Sequence, residues 1–401
     1  MDAVEATEPI RSDRPGSFPW TVLHDRHPAL LQQVRAAHPY PPPIRGALDR
    51  LEQEITGPIQ PLTDTAADAP IWAERAREYL GHSWYDVPFL WAENYFYRKL
   101  LAAVGYLEPG PWQGIDPFAP LKTAELDGPI VDAELAALGR PADLTPDERL
   151  DALVSAALWG NRADLGFLIG KGALAAGVDR LVVDDRAALH RQPGGRIVVV
   201  ADNAGRELLP DLVLIDHLFT TGAAAEVVLH VKPQPYFVSD ATPADVLATL
   251  TRLIGGPRGE TATPGASEAA TAIGERLVAA LAAGTLILRA DPFSVSPAGY
   301  AELFEGPDDA GPGSLRADLE AATLTVMKGD LNYRRLVGDR TWPATCSFAD
   351  RTGYFPGPVV ALRTLKSDVV VGLDPEALAV LDATGTAWRT SGTYGLIQAR
   401  P

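Results

Sequence analysis

Beyond Gly194 the chain changes texture, and that change limits its folds more than any other feature. Short β-branched runs at residues 196–200, 225–231, 285–289, 323–327, 358–362 and 369–372 alternate with helical stretches such as 243–253 and 268–282. Brief apolar runs bounded by turn formers mark strands buried on both faces. Strands of that kind, separated by helices, build parallel βαβ units. The expected class is therefore α/β, a three-layer α/β/α sandwich on a mostly parallel sheet. The earlier part reads differently. Residues 28–37 place Leu30, Leu31 and Val34 at helical spacing, prolines 41–43 interrupt, and Leu48, Leu51 and Ile55 resume. Residues 88–104 and 150–159 are further helices, with a Pro- and Gly-rich loop over 106–120. A helical N-terminal region over 1–155 and an α/β/α catalytic domain over 156–401 follow as the expected organisation. Residues 255–267, rich in Gly, Pro and Thr, read as a surface loop.

In open α/β sheets ligands sit beyond the carboxyl ends of strands. Four such ends carry polar groups. Val200-Ala201 leads into Asp202-Asn203-Ala204-Gly205, an acid and an amide suited to a hard cation such as magnesium or manganese. The same pair is also what a turn and helix cap would use. Phe237-Val238-Ser239 leads into Asp240, either a second ligand or the cap of the helix near Pro243. Met327-Lys328-Gly329 leads into Asp330, Asn332 and Arg334, where a helix N-terminus could receive an anion or be simply capped. Arg363-Thr364-Leu365-Lys366 adds a basic pair that could meet a phosphoryl group or face solvent. Glu93 on the 88–104 helix and Asn161 after Trp159-Gly160 are weaker candidates for a pocket wall.

Charge narrows the partners. The 401 residues include 52 acidic and 35 basic side chains, a formal net charge of −17, with no Lys/Arg-rich run. Such a field repels nucleic acid. It also repels an anionic metabolite, so a phosphate site here requires concentrated positive charge of its own. The single cysteine, Cys346, allows no internal disulfide and no thiolate cage. The seven histidines lack HxxxH or HExxH spacing, and there is no Walker A or G-x-G-x-x-G loop. The first residues lack a signal-peptide pattern, and no apolar run spans a bilayer. A cytoplasmic protein that contacts no membrane is expected.

Taken in order, these segments resemble the damage-control phosphatases, in the subfamily marked by an Arg-Thr-x-Lys motif. The likeness runs through His24-Asp25-Arg26 with Pro28, Glu93-Asn94-Tyr95-Phe96-Tyr97-Arg98, Leu158-Trp159-Gly160-Asn161 and Asp202-Asn203-Ala204-Gly205-Arg206-Glu207-Leu208. It continues through Phe237-Val238-Ser239-Asp240, Lys328-Gly329-Asp330-Leu331-Asn332-Tyr333-Arg334, Arg363-Thr364-Leu365-Lys366 and Thr390-Ser391-Gly392-Thr393-Tyr394-Gly395. The resemblance implies a metal-dependent phosphatase of small sugar phosphates, of the fructose 1-phosphate or fructose 6-phosphate type. It implies Asp202, Asn203 and Asp240 as ligands of a divalent ion (manganese, magnesium, cobalt or nickel). Asp330, Leu331, Asn332, Tyr333, Arg334 and Lys366 would bind substrate. Glu207 matches a position assigned to S-adenosylmethionine contact, which keeps a protein-glutamate carboxyl methyltransferase as the alternative, although a glycine-rich loop for that cofactor is missing. A phosphate sensor without turnover, and a phosphatase dedicated to one biosynthetic pathway, are the other readings. The stretch Leu288-Arg289-Ala290-Asp291-Pro292-Phe293-Ser294 departs from the family and bears on substrate choice.

Overall fold

The computed structural model describes residues 7–138, 144–160, 180–190, 194–258, 264–305 and 314–401. Seven strands form one sheet: β1 (Leu181–Asp184), β2 (Gly195–Val200), β3 (Ala224–Val231), β4 (Leu286–Ala290), β5 (Leu324–Lys328), β6 (Val359–Thr364) and β7 (Gly395–Arg400). Their order is β1-β7-β6-β5-β2-β3-β4. The β6–β7 pair is antiparallel and every other pair is parallel.

The alternation of side chains explains the three layers. Ile197 and Val199 of β2 enter one core with the helices Pro146–Trp159, Leu208–Thr220, Pro243–Gly255 and Pro264–Ala283. Val198 and Val200 enter a second core with the helices Leu315–Glu320 and Gly329–Val337. β3 and β6 divide their residues between the two cores in the same way. A central strand buried on both faces is apolar where it is buried, which is why β2 runs Ile197-Val198-Val199-Val200 after Arg196. A third core unites the helices His27–Ala37, Pro42–Ile55, Ala69–Ala76 and Phe89–Ala103, and takes in Tyr236, Val295 and Leu331 from the later chain. The helices Pro129–Leu138 and Pro146–Trp159 lie in sequence on the N-terminal side of residue 155 or across it, yet contribute to the first sheet core.

Three expectations are corrected. Residues 369–372 are not a strand. Side chains take several of their backbone groups instead: Arg363 donates to the Val369 carbonyl, the Tyr333 hydroxyl accepts from the Val371 N–H, and Gln398 donates to the Val371 carbonyl, while the Gly372 N–H donates to the Cys346 carbonyl. β7, at the very end, carries the pairing that the 369–372 run was expected to supply. Asp240 does not stand at a strand end either. β3 stops at Val231, and a loop runs through Pro233 and Pro235 before the chain returns. Finally, the 255–267 segment already contains the start of the Pro264–Ala283 helix.

Candidate active site

Two loops meet above the carboxyl ends of β2 and β5. The β2 loop and the 232–241 loop are joined by an antiparallel bridge between Asn203 and Asp240. Ala204 N–H donates to the Ser239 carbonyl at 2.7 Å, and Ala241 N–H donates to the Asp202 carbonyl at 2.8 Å. The returning loop is strained: Phe237 and Val238 have φ of 41° and 68°, a region a β-branched residue rarely enters. Strain of this kind persists only where surrounding contacts over-determine it, commonly at functional sites.

The bridge brings Asp202, Asn203 and Asp240 to one cavity of about 480 Å³, all three less than a tenth exposed. Asn203 is fixed on both sides. Its amide nitrogen donates to Asp202 Oδ2 at 3.0 Å and Glu207 Oε2 at 2.9 Å, and its Oδ1 accepts from Ser239 Oγ at 2.6 Å. Asp240 Oδ2 is buried without a hydrogen-bond donor; the nearest cation is Lys232 Nζ at 3.6 Å. A bare buried carboxylate oxygen is costly unless something else neutralises it. Burial raises Asp202 well above the usual carboxylate range, and Glu207 and Asp240 push it further. Burial pushes Asp240 up to about 6 against the pull of Lys232 and Lys122. Among the described residues no three His, Cys, Asp or Glu side chains group as a metal cage. The set is two carboxylates and an amide, hard oxygen donors that fit a divalent cation.

Gly329 opens the Gly329–Val337 helix directly against this set. Its φ is 85°, and a Cβ there would lie 1.9 Å from Asp202 Oδ2. Only glycine permits that approach.

The expected substrate residues divide. Glu93, Asp330, Leu331, Arg334 and Lys366 line the same cavity. Asn332 points elsewhere, donating to the Ala201 and Lys328 carbonyls and accepting from Tyr300. Tyr333 also turns away, donating to Gln398 and lying parallel to Phe348. Asn161 lies outside the described residues. Glu207 does not line the cavity; its carboxylate accepts from Asn203 and lies 3.9 Å from Lys328 Nζ, which makes it a support for Asn203.

The positive charge is also distributed differently from the expectation. Arg334 donates to Glu93 at 2.6 Å and grips Asp339 through two bonds of 2.9 Å. Burial opposes its charge, but Asp339 and Glu93 hold it well above the usual value. Arg363, fully buried, donates to Asp330 at 2.8 Å and to the carbonyls of Ser367 and Val369. Asp330 in turn accepts from the backbone N–H of Lys366 at 3.1 Å. Burial alone would raise the Asp330 carboxyl, yet Arg363 and Arg334 prevail and keep it low. The arginine of the Arg-Thr-x-Lys motif is thus a brace, and Lys366 is the group it positions.

Sequence reasoning overlooked Lys232 and Ser239 as site residues. Lys232 directly follows β3 and precedes Pro233, with no local pattern that marks it as a site residue. Arg26 and His27 line the cavity as well; they stood inside a motif that carried likeness without an assigned role.

The family model described as the damage-control phosphatase ARMT1-like domain matches residues 22–379. A zebrafish (Danio rerio) protein named damage-control phosphatase ARMT1 is 30% identical, covering 88% of this chain and 84% of its own. The mouse (Mus musculus) protein of the same name is 31% identical, covering 87% and 84%. A crystal structure of a DUF89 family protein from Pyrococcus horikoshii aligns over 95% of this chain and 98% of its own, with a TM-score of 0.47 and 16% identity. The family match over most of the chain, with relatives at this identity, makes the chain a member of the ARMT1-like damage-control phosphatases, a phosphoester hydrolase.

Proposed function

We propose that the protein hydrolyses small sugar phosphates with the help of a divalent cation held by Asp202, Asn203 and Asp240. The observation that carries this reading is the buried pair Asp202 and Asp240, with Asp240 Oδ2 lacking any donor, in one cavity with Lys366. A cavity of about 480 Å³ suits a small metabolite. No helix among the described residues is long and apolar enough to cross a membrane. Magnesium, manganese, cobalt or nickel at the Asp-Asn-Asp set would polarise the phosphoryl oxygens and offset charge in the transition state.

The chain's own groups do the rest. Asn203 is kept in one orientation by Ser239 and Glu207. Lys366 supplies a cation for the phosphoryl group, with its backbone tied down by Asp330. Asp202 is bonded by Asn203 and confined by Gly329. In this reading water is the attacking group. The test is a panel of sugar phosphates with each of the four metals, on the wild type and on Asp202→Ala and Asp240→Ala. Metal-supported turnover is expected in the wild type and lost in both variants; turnover that survives both substitutions removes the assignment.

A pH effect follows from the same carboxyls. A carboxyl raised in the folded state stabilises the fold below its ordinary value of 3.8, and that contribution is lost as pH rises through about 6. Bound cation compensates only once the acids have ionised. The increase in Tm on adding manganese is therefore expected to be small near pH 5 and to grow towards about pH 7. Thermal scans with and without manganese check this; an increment independent of pH would contradict it.

A further inference from the structure

The catalytic cavity has a second wall, built by the N-terminal region from Phe18, Val22, Arg26, His27, Leu30 and Gln33. The chain reaches it through a π-helical turn, Val22–Arg26. Such turns are rare and frequent at functional sites, because the extra residue re-aims the side chains that follow. Here the turn delivers Arg26 and His27.

Both groups lack hydrogen-bonding or ionic partners among the described residues. His27 is 2% exposed, stacked on Phe96 at 3.7 Å, and neither ring nitrogen has a hydrogen-bond partner. Burial pushes the imidazole down to about 3, so it is neutral at physiological pH. Arg26 is exposed at the cavity wall, with its guanidinium 5.0 Å over the Phe18 ring and no carboxylate within ion-pair distance among the described residues.

Of the three Lys and Arg side chains that line the cavity, Arg334 is neutralised by Glu93 and Asp339. Lys366 and Arg26 remain. They come from different parts of the chain: Lys366 follows β6, while Arg26 stands on the N-terminal wall. In the phosphatase reading Lys366 serves the phosphoryl end, which leaves Arg26 for another part of the substrate.

We infer that the Arg26–His27 wall is a subsite for the organic part of the substrate, and that Arg26 receives a second anionic group on it, a carboxylate or another phosphate. The inference rests on the phosphatase reading above and narrows its substrate class to phosphoesters that are anionic at both ends. Gln33 offers a neutral polar contact to the hydroxyls between, with the His27 ring packed in the wall behind it. In a chain with a net charge of −17, an unpaired guanidinium at the cavity favours entry of such a substrate over its less charged relatives.

The experiment compares fructose 1,6-bisphosphate with fructose 1-phosphate on the wild type, Arg26→Ala and Arg26→Lys. Two readouts are used: kcat and KM with manganese, and calorimetric binding in EDTA. The wild type is expected to favour the bisphosphate by about tenfold or more, through KM, as a charge-assisted contact gives. Arg26→Ala is expected to bring the ratio of the two substrates close to one, and Arg26→Lys to restore part of it. Equal handling of the two compounds by the wild type in both assays overturns the inference. So does a loss in Arg26→Ala that is the same for both, since that is what a purely structural role for Arg26 over Phe18 predicts. If the wild type turns over neither compound, the phosphatase reading fails, and the calorimetric ratio alone decides the subsite.

Discussion

Gly329→Ala is expected to remove metal-supported activity although it deletes no side chain of the candidate site. Two independent effects act together. The backbone at Gly329 has φ 85°, so alanine there costs about 1–2 kcal/mol in conformation alone. The added methyl would also stand 1.9 Å from Asp202 Oδ2 and 2.6 Å from Asp202 Cβ, which no rotation of a distant group can relieve. Asp202 cannot simply retreat. Its carbonyl holds the Ala241 N–H, and its carboxylate holds Asn203. The displacement therefore passes to the Asn203–Asp240 bridge, and through it to both expected carboxylate ligands. Misplacing the supports of a metal ligand typically weakens affinity or activity by about 10–100-fold, and moving a ligand itself belongs at or beyond the upper end. The measurement is manganese affinity by titration, alongside phosphatase rate and Tm. An alanine variant that binds manganese as the wild type does would mean that Asp202 is not a ligand, whatever happens to the rate.

Gly329 also illustrates what the sequence could reveal and what it could not. That a glycine follows an apolar strand and opens a helix is readable, and close approach of backbone to something was the natural inference. Its neighbour in space is Asp202, on a different strand, and only the parallel pairing of β2 with β5 brings them together. The α/β class was legible for a related reason: parallel strands buried on both faces are apolar over most of their length, so β2, β3 and β5 stand out despite Arg196, Glu226, His230, Thr325 and Lys328. The strand expected at 369–372 was not legible as a loop, because its burial and valines match those of a strand. What distinguishes it is that Arg363, Tyr333 and Gln398 satisfy its backbone. Side chains acting in place of a sheet ladder leave no local pattern. The same limit applies to charge. Lys328-Gly329-Asp330-Leu331-Asn332-Tyr333-Arg334 looks like a continuous binding strip, but a helix presents its residues around a full turn. Asp330, Leu331 and Arg334 therefore share the cavity, while Asn332 and Tyr333 do not.

Arg334 and Lys366 are expected to fail in opposite ways when their charge is removed, and the contrast separates support from substrate contact. Arg334→Met leaves Glu93 and Asp339, both buried, without their cation. Breaking a buried ion pair by deleting one partner destabilises by about 3–5 kcal/mol. Glu93 is already pushed up to about 7 by burial with Arg334 present, so without it the carboxyl is expected to take up a proton at neutral pH. The loss of stability should then be partly relieved by Glu93→Gln in the same chain, a coupling that a double-mutant cycle reads directly. Lys366 has no carboxylate partner among the described residues, and only its backbone N–H is held, by Asp330. Lys366→Met should therefore fold with nearly the wild-type Tm and lose about 100-fold in kcat, the magnitude typical of removing one charged contact to a developing oxyanion. Chemical denaturation and steady-state kinetics on the two variants check the pair of outcomes. A Lys366→Met enzyme with unchanged kcat would move the phosphoryl contact off Lys366. It would leave Arg26 and Arg334 as the cavity's other cations, and for Arg334 to serve, its ion pairs with Glu93 and Asp339 would have to open when substrate binds.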